Sequence, residues 1–224
     1  LVPHCDIIVG PGNRWVTAAK KLIAGNVAID MLAGPSELVI YADETANPGI
    51  LAADLLAQAE HDVDALPVLV TTNEELIEAT NEELDRQLQT LSTRETAAGA
   101  LANGFAVLCA DEDEAVDVIN RLAPEHVEIQ CAHCELIAQR VHHYGALFLG
   151  EGSAEVLGDY GAGPNHTLPT GGTARFSGGL SVFNFLRVRT WMKIDNLSEA
   201  QEMIDDAITL ARYEGLEGHA RSAE

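Results

Sequence analysis

The chain has 224 residues, 47% of them hydrophobic, with a mean hydropathy of +0.04, which describes a globular protein with an apolar core and excludes a disordered one. Thirteen basic residues against 35 acidic ones leave a net charge of -22, a field that repels nucleic acid and anionic membrane. No run approaches the roughly 18 apolar residues of a membrane-spanning helix.

Only three lysines occur (Lys20, Lys21 and Lys193), and such a surplus of acid resembles a protein from a high-salt cytoplasm, though solubility alone would also explain it. The four cysteines are too few and too unevenly spaced for a disulfide framework, so a reducing cytoplasm is expected. Cys131-Ala132-His133-Cys134 is a C-x-x-C without the second pair a structural zinc site needs; it reads as reduced cysteines near a helix start. The opening residues lack a signal-peptide pattern and an initiator Met and run almost at once into a buried-looking strand. The sequence therefore reads as a fragment whose N-terminal part is missing.

In chain order, Asp6–Gly10 is a short apolar run expected as a parallel strand. Gly10-Pro11-Gly12-Asn13 then turns into an amphipathic segment over Trp15–Ala24. Val27–Met31 and Glu37–Tyr41 are further strands, separated by the break Ala33-Gly34-Pro35-Ser36. Asn47-Pro48 combines a capping residue with proline at the first helical position and opens a helix to about His61. Leu66–Thr71 is strand-like, and Thr72-Asn73-Glu74-Glu75 is a capping box for a long acidic helix to about Leu91. A shorter helix to about Ala102, a strand over Phe105–Cys109, a helix over Asp111–Leu122 and strands at Val127–Ile129 and Ala146–Leu149 complete the series. Short apolar strands alternating with helices predict an α/β fold, a doubly wound parallel sheet. After Gly179 the alternation stops. Ser198 is expected to cap a helix to about Tyr213, and Glu214–Arg221 is expected to be helical, forming a C-terminal helical appendage.

Three segments can carry chemistry. Gln58 and His61 lie three apart on one predicted helix and share a face; His is a common zinc ligand, a Gln amide an unusual one. Otherwise His61 is a surface histidine. Glu125-His126 follows Pro124 at the start of a strand. Neighbours in a strand point to opposite faces, so both enter one pocket only where the proline makes the backbone irregular. A carboxylate beside an imidazole is a proton-transfer set, or simply a structural contact. Gly158–Thr170 is too rich in Gly and Pro for a helix or strand interior, and it carries Asp159 and His166. That oxygen and nitrogen suit Zn²⁺ with an open position; the bland reading is a turn in which Asp159 accepts backbone N–H bonds. Gly10-Pro11-Gly12-Asn13 could cradle a pyrophosphate at a helix N-terminus, but it is a weak fingerprint because Arg14-Trp15 replaces the later glycine. His219 and Glu214 in the tail carry no signal alone, and His133, His142 and His143 read as surface residues.

Taken together, the ordered set Gly10–Asn13, Ile29-Asp30-Met31 through Ala33–Glu37, Gln58–Asp62, Ala123-Pro124-Glu125-His126 and Gly158–Thr170 resembles histidinol dehydrogenase over essentially the whole chain. The resemblance implies a zinc- and NAD-dependent oxidoreductase of the last steps of histidine biosynthesis, cytoplasmic, taking L-histidinol through L-histidinaldehyde to L-histidine with two NAD⁺. It implies one Zn²⁺ per subunit on Gln58, His61, Asp159 and His219, the last crossing between subunits of an intertwined homodimer. Glu125 and His126 would be the proton acceptors. Ser36 and Glu214 would touch substrate together with Gln58, His61, His126, Asp159 and His219; His166 would lie close by. Asn13 would be the remaining NAD contact. The implied domains are 1–35, the end of an incomplete Rossmann-like NAD-binding domain; 36–179, a catalytic Rossmann-like domain; and 180–224, a helical dimerisation tail. With the rest of the NAD domain absent, these 224 residues alone are expected to bind NAD poorly and turn over slowly. Two other readings stand beside this one. One is a zinc hydrolase built on Asp159, His166, His61 and Glu125; the other is a non-catalytic acidic interaction module.

Overall fold

The computed structural model describes residues 3–224, which divide into two compact units, one ending at Phe185 and one spanning Leu186–Glu224.

The first unit opens with a small parallel pair, β1 (Ile7–Ile8) and β2 (Ala28–Ile29), joined through α1 (Arg14–Ile23). These strands are shorter than the five-residue runs expected from the sequence, and they form their own sheet. A buried ion pair fixes their connection: Lys20 Nζ lies 2.7 Å from Asp30 Oδ1 and also donates to the Gly10 carbonyl. The Gly10 amide donates to Asp30 Oδ2 at 2.7 Å. Burial pushes the Asp30 carboxyl up, but the hydrogen bonds from Lys20 and the Gly10 and Met31 amides outweigh it and hold the carboxyl below its ordinary value.

The main sheet has five parallel strands: β3 (Glu37–Ala42), β4 (Leu66–Thr71), β5 (Phe105–Leu108), β6 (His126–Gln130) and β7 (Ala146–Leu149). Their spatial order is β5-β4-β3-β6-β7, so the winding reverses between β3 and β6. The helices α2 (Pro48–Ala59), α3 (Glu74–Leu88), α4 (Arg94–Leu101), α5 (Glu112–Leu122) and α6 (Cys134–Ala138) cover the two faces. Alternation along β3 shows why both are needed. Leu38, Ile40 and Ala42 pack with Leu51, Leu55 and Leu76 of α2 and α3, while Val39 and Tyr41 pack with Ala115, Val116 and Ile119 of α5. This is the doubly wound α/β sheet expected from the sequence.

Local chemistry accounts for the helix boundaries, with some differences from expectation. Asn47 caps α2 through a bond from the Gly49 amide, with Pro48 at the first position. For α3 the cap is Asn73, which accepts from the Leu76 amide at 3.1 Å, rather than Thr72. Residue His61 lies just past the end of α2, in the turn held by its own amide on the Gln58 carbonyl. Part of the Gly/Pro segment is helical after all: a one-turn helix, α7 (Val156–Asp159), ends on Asp159 before the open loop begins.

The second unit contains α8 (Gln201–Tyr213) and α9 (Glu217–Ala223), packed on each other around the turn at Glu214-Gly215. Ser198 does not cap α8; its hydroxyl is taken up by Asn196, and Ala200 stands at the cap without a side-chain bond. Among the described residues no helix is long and apolar enough to cross a membrane.

Candidate active site

Three chain reversals bring the chemistry together. Ser36 precedes β3, Glu125 and His126 stand at the start of β6, and His61 follows α2 just ahead of β4. All three lie at the amino-terminal edge of the sheet, beside the β3/β6 reversal. Open α/β sheets usually bind ligands at the opposite, carboxyl edge. With Asp159, Tyr160 and His166 from the segment after β7, these residues line one cavity of about 260 Å³.

The backbone at Glu125 has the irregularity that Pro124 suggested. Ala123 adopts left-handed geometry with φ 48°, closing α5 before the chain enters β6. Glu125 and His126 are both buried and both face the cavity. Gly145 seals the other side, since its amide donates to the Glu125 carbonyl and a Cβ there would stand 2.6 Å from that oxygen.

Each of the pair is held by defined partners. Ser36 Oγ donates to Glu125 Oε2 at 2.5 Å and the Glu37 amide donates to the same oxygen at 3.1 Å. Burial raises the Glu125 carboxyl to about 7, against the lowering effect of those two donors. His126 Nδ1 lies 3.2 Å from the Glu37 carbonyl, which makes Nδ1 the protonated nitrogen and leaves Nε2 with the lone pair. Burial lowers the His126 imidazole to about 4, only partly countered by Asp159. At neutral pH the ring is therefore an uncharged base.

Beside this pair is a cation-shaped corner. His61 Nε2 and Asp159 Oδ2 are 3.9 Å apart, and one donor atom from each, with one from Glu155, fall within 4.8 Å of one another. No other such cluster of His, Cys and acidic groups occurs among the described residues. Gln58 is fully buried on α2, and neither atom of its amide has a hydrogen-bond partner there. An imidazole and two carboxylates suit a divalent cation with nitrogen and oxygen ligands, while Gln58, though orphaned, does not line the cavity. The Cys131/Cys134 pair is spent differently, the Cys134 thiol donating to the carbonyls of Ile129 and Cys131.

Outside the cavity, Asn13 caps α1, its Oδ1 accepting from the Trp15 and Val16 amides, and its NH₂ group has no partner among the described residues. Glu214 and His219 are exposed in the second unit, at the turn and on α9.

Two features were missed from sequence. Glu155, buried at the start of α7, joins the cluster four residues before Asp159; that i, i+4 spacing was the available signal. Strand β6 also presents a polar stripe, His126, Glu128 and Gln130, all buried and on one face. Gln130 donates to Asp54 of α2 at 3.0 Å. Burial and then Asp54 push Glu128 up to about 9.

The family model described as histidinol dehydrogenase matches residues 1–224. The chain belongs to the histidinol dehydrogenase family. It is 51% identical over 225 residues to histidinol dehydrogenase from Thermus thermophilus, covering 100% of this chain and 54% of that protein. Against the enzyme from Geobacillus kaustophilus it is 50% identical over 220 residues, covering 98% and 52%. The crystal structure of histidinol dehydrogenase from Elizabethkingia anophelis superposes with a TM-score of 0.92 at 37% identity, covering 99% of this chain and 51% of that one. The chain thus spans about half the length of the relatives it matches.

Proposed function

We propose that this chain carries the catalytic centre of an NAD-dependent histidinol dehydrogenase, oxidising L-histidinol through L-histidinaldehyde to L-histidine in the cytoplasm. The observation that carries the reading is the cavity in which a neutral, buried imidazole and a hydrogen-bonded carboxyl face a cation corner, in a chain of this family.

Gln58, His61 and Asp159, with His219, would hold a Zn²⁺ that supplies an anchor for the amino and imidazole nitrogens of the substrate. The chain's own groups do the rest. His126 takes the hydroxyl proton at Nε2 as the carbinol carbon gives up hydride to NAD⁺, and its Nδ1–H stays on the Glu37 carbonyl throughout. Glu125 then takes a proton from water as that water adds to the aldehyde, with Ser36 and the Glu37 amide fixing which carboxylate oxygen faces inward. The His126 imidazolium returns its proton to the carbonyl oxygen as the water adds. The neutral ring then takes a hydroxyl proton of the hydrated aldehyde as its carbon gives the second hydride to a second NAD⁺, leaving the carboxylic acid. Keeping the aldehyde bound between the two oxidations protects it from side reactions in solvent.

Asn13 would contact NAD with the amide it does not use for capping. Segment 1–35 would belong to the nucleotide domain, 36–179 to the catalytic domain and 180–224 to a dimerisation tail. Glu214 would contact substrate, and His219 would reach the site of a second copy in a homodimer. Exposed apolar side chains support an interface: Phe176, Phe183, Val188 and Trp191 are all strongly exposed.

Adding L-histidinol to the zinc-supplemented protein with NAD⁺ should raise absorbance at 340 nm. A flat trace would contradict the dehydrogenase reading and favour the hydrolase, which needs no nucleotide.

A further inference from the structure

Glu155 is a buried acid beside His126 that the reaction above does not use. Its side chain is 1% exposed, and Oε1 has no hydrogen-bond partner among the described residues. An orphaned acceptor in a protein interior costs free energy and calls for an explanation. That atom lies 3.5 Å from Nδ1 of His126, on the same edge of the ring as the Glu37 carbonyl.

The surroundings hold it there. Glu155 heads α7, and Gly158 on the same turn has so little room that a Cβ would stand 2.7 Å from the ring of Phe148. Phe148 in turn packs against the imidazole of His126, ring centroids 6.0 Å apart. One side of His126 is thus built from Glu37, Phe148 and α7 together. We propose that Glu155 is a positioning residue for His126, a second acceptor at Nδ1 that keeps the ring in the tautomer whose Nε2 is free, and that faces the imidazolium once Nε2 has taken the substrate proton.

No bond of the substrate is made or broken by Glu155. The hydroxyl proton goes to Nε2, the Nδ1 proton stays where it was, and the Glu155 carboxyl oxygen supplies a fixed acceptor behind the ring. A carboxyl oxygen that orients a catalytic histidine through the nitrogen away from the substrate raises turnover without touching the substrate. The inference rests on the dehydrogenase reading, with His126 as the base.

Glu155→Gln keeps the shape and a neutral acceptor, whereas Glu155→Met fills the space and removes the acceptor. With histidinol, kcat should fall about tenfold in the first and further in the second, with KM within about threefold of the parent and zinc content unchanged. Loss of zinc would overturn the inference, because Glu155 would then be a ligand alongside His61 and Asp159. Unchanged kcat in both variants would overturn it too. A second readout needs neither metal nor activity. Ring ¹⁵N spectra of the metal-free protein should show His126 protonated at Nδ1, and the Nε2–H tautomer should appear in Glu155→Met. An inactive parent enzyme would sink the dehydrogenase reading; an unaltered tautomer in Glu155→Met would sink this inference by itself.

Discussion

Glu125 and His126 are adjacent, share one cavity and are driven in opposite senses by one cause. Burial favours the neutral form of each, raising the carboxyl to about 7 and lowering the imidazole to about 4. Near neutral pH this gives a ring free to accept a proton next to a carboxyl poised to release or accept one. Replacing the base with an amide of similar size leaves the cation corner intact. His126→Gln should therefore lower kcat roughly 10²–10⁴-fold, the usual worth of a general base, with zinc content unchanged by metal analysis. The pair was legible in the sequence because Pro124 announced an irregular backbone where two neighbours could face one way. Glu155 was harder to read: its i, i+4 spacing to Asp159 hinted at the cluster, but its approach to His126 appears only once the fold brings α7 against that ring.

The elements matter through their ends. Strand content and winding followed from apolar runs alternating with capped helices, so β3 to β7 could be placed without coordinates. The edge that carries the site could not be read, since it depends on the reversal between β3 and β6 and on a segment returning after β7. The polar stripe of β6 was hidden for a related reason. His126, Glu128 and Gln130 look solvent-facing by alternation, and only the packing of α2, with Asp54 and Gln58, shows them buried. Where β6 and β7 begin, Gly145 allows the closest approach, its missing Cβ sparing a 2.6 Å clash with the Glu125 carbonyl. Gly145→Ala should destabilise the protein by about 1–3 kcal/mol. At roughly 2–4 °C per kcal/mol this is measurable as a lower Tm, and Glu125 should be displaced enough to cost turnover as well. An unchanged Tm would mean that the strand start yields without strain.

For the molecule as a whole, the concentration of acid at the site couples stability to pH and to metal. Burial raises Glu125 to about 7, Glu155 to about 8 and Glu128 to about 9. A carboxyl with a raised folded-state pKa stabilises the fold below its unfolded value, near 4.3, and that contribution is lost as pH climbs through the folded value. His126 has the opposite sense: its contribution is complete above about 6.5 and lost as pH falls through about 4. Between pH 6.5 and 9 only the carboxyls titrate among these four. The metal-free protein should therefore lose several degrees of Tm over that interval, and added Zn²⁺ should restore more at pH 9 than at 6.5. A Tm that is flat or rises with pH in calorimetry would contradict the burial of these groups.

The division of labour between the two proton acceptors is open to a direct count. In a single turnover with excess NAD⁺, the parent protein should form two NADH for each L-histidinol and release L-histidine. Glu125→Gln should form one NADH and stop, because His126 still serves the first oxidation while nothing activates the water for the second. Two NADH from Glu125→Gln, or none from the parent, would contradict the account.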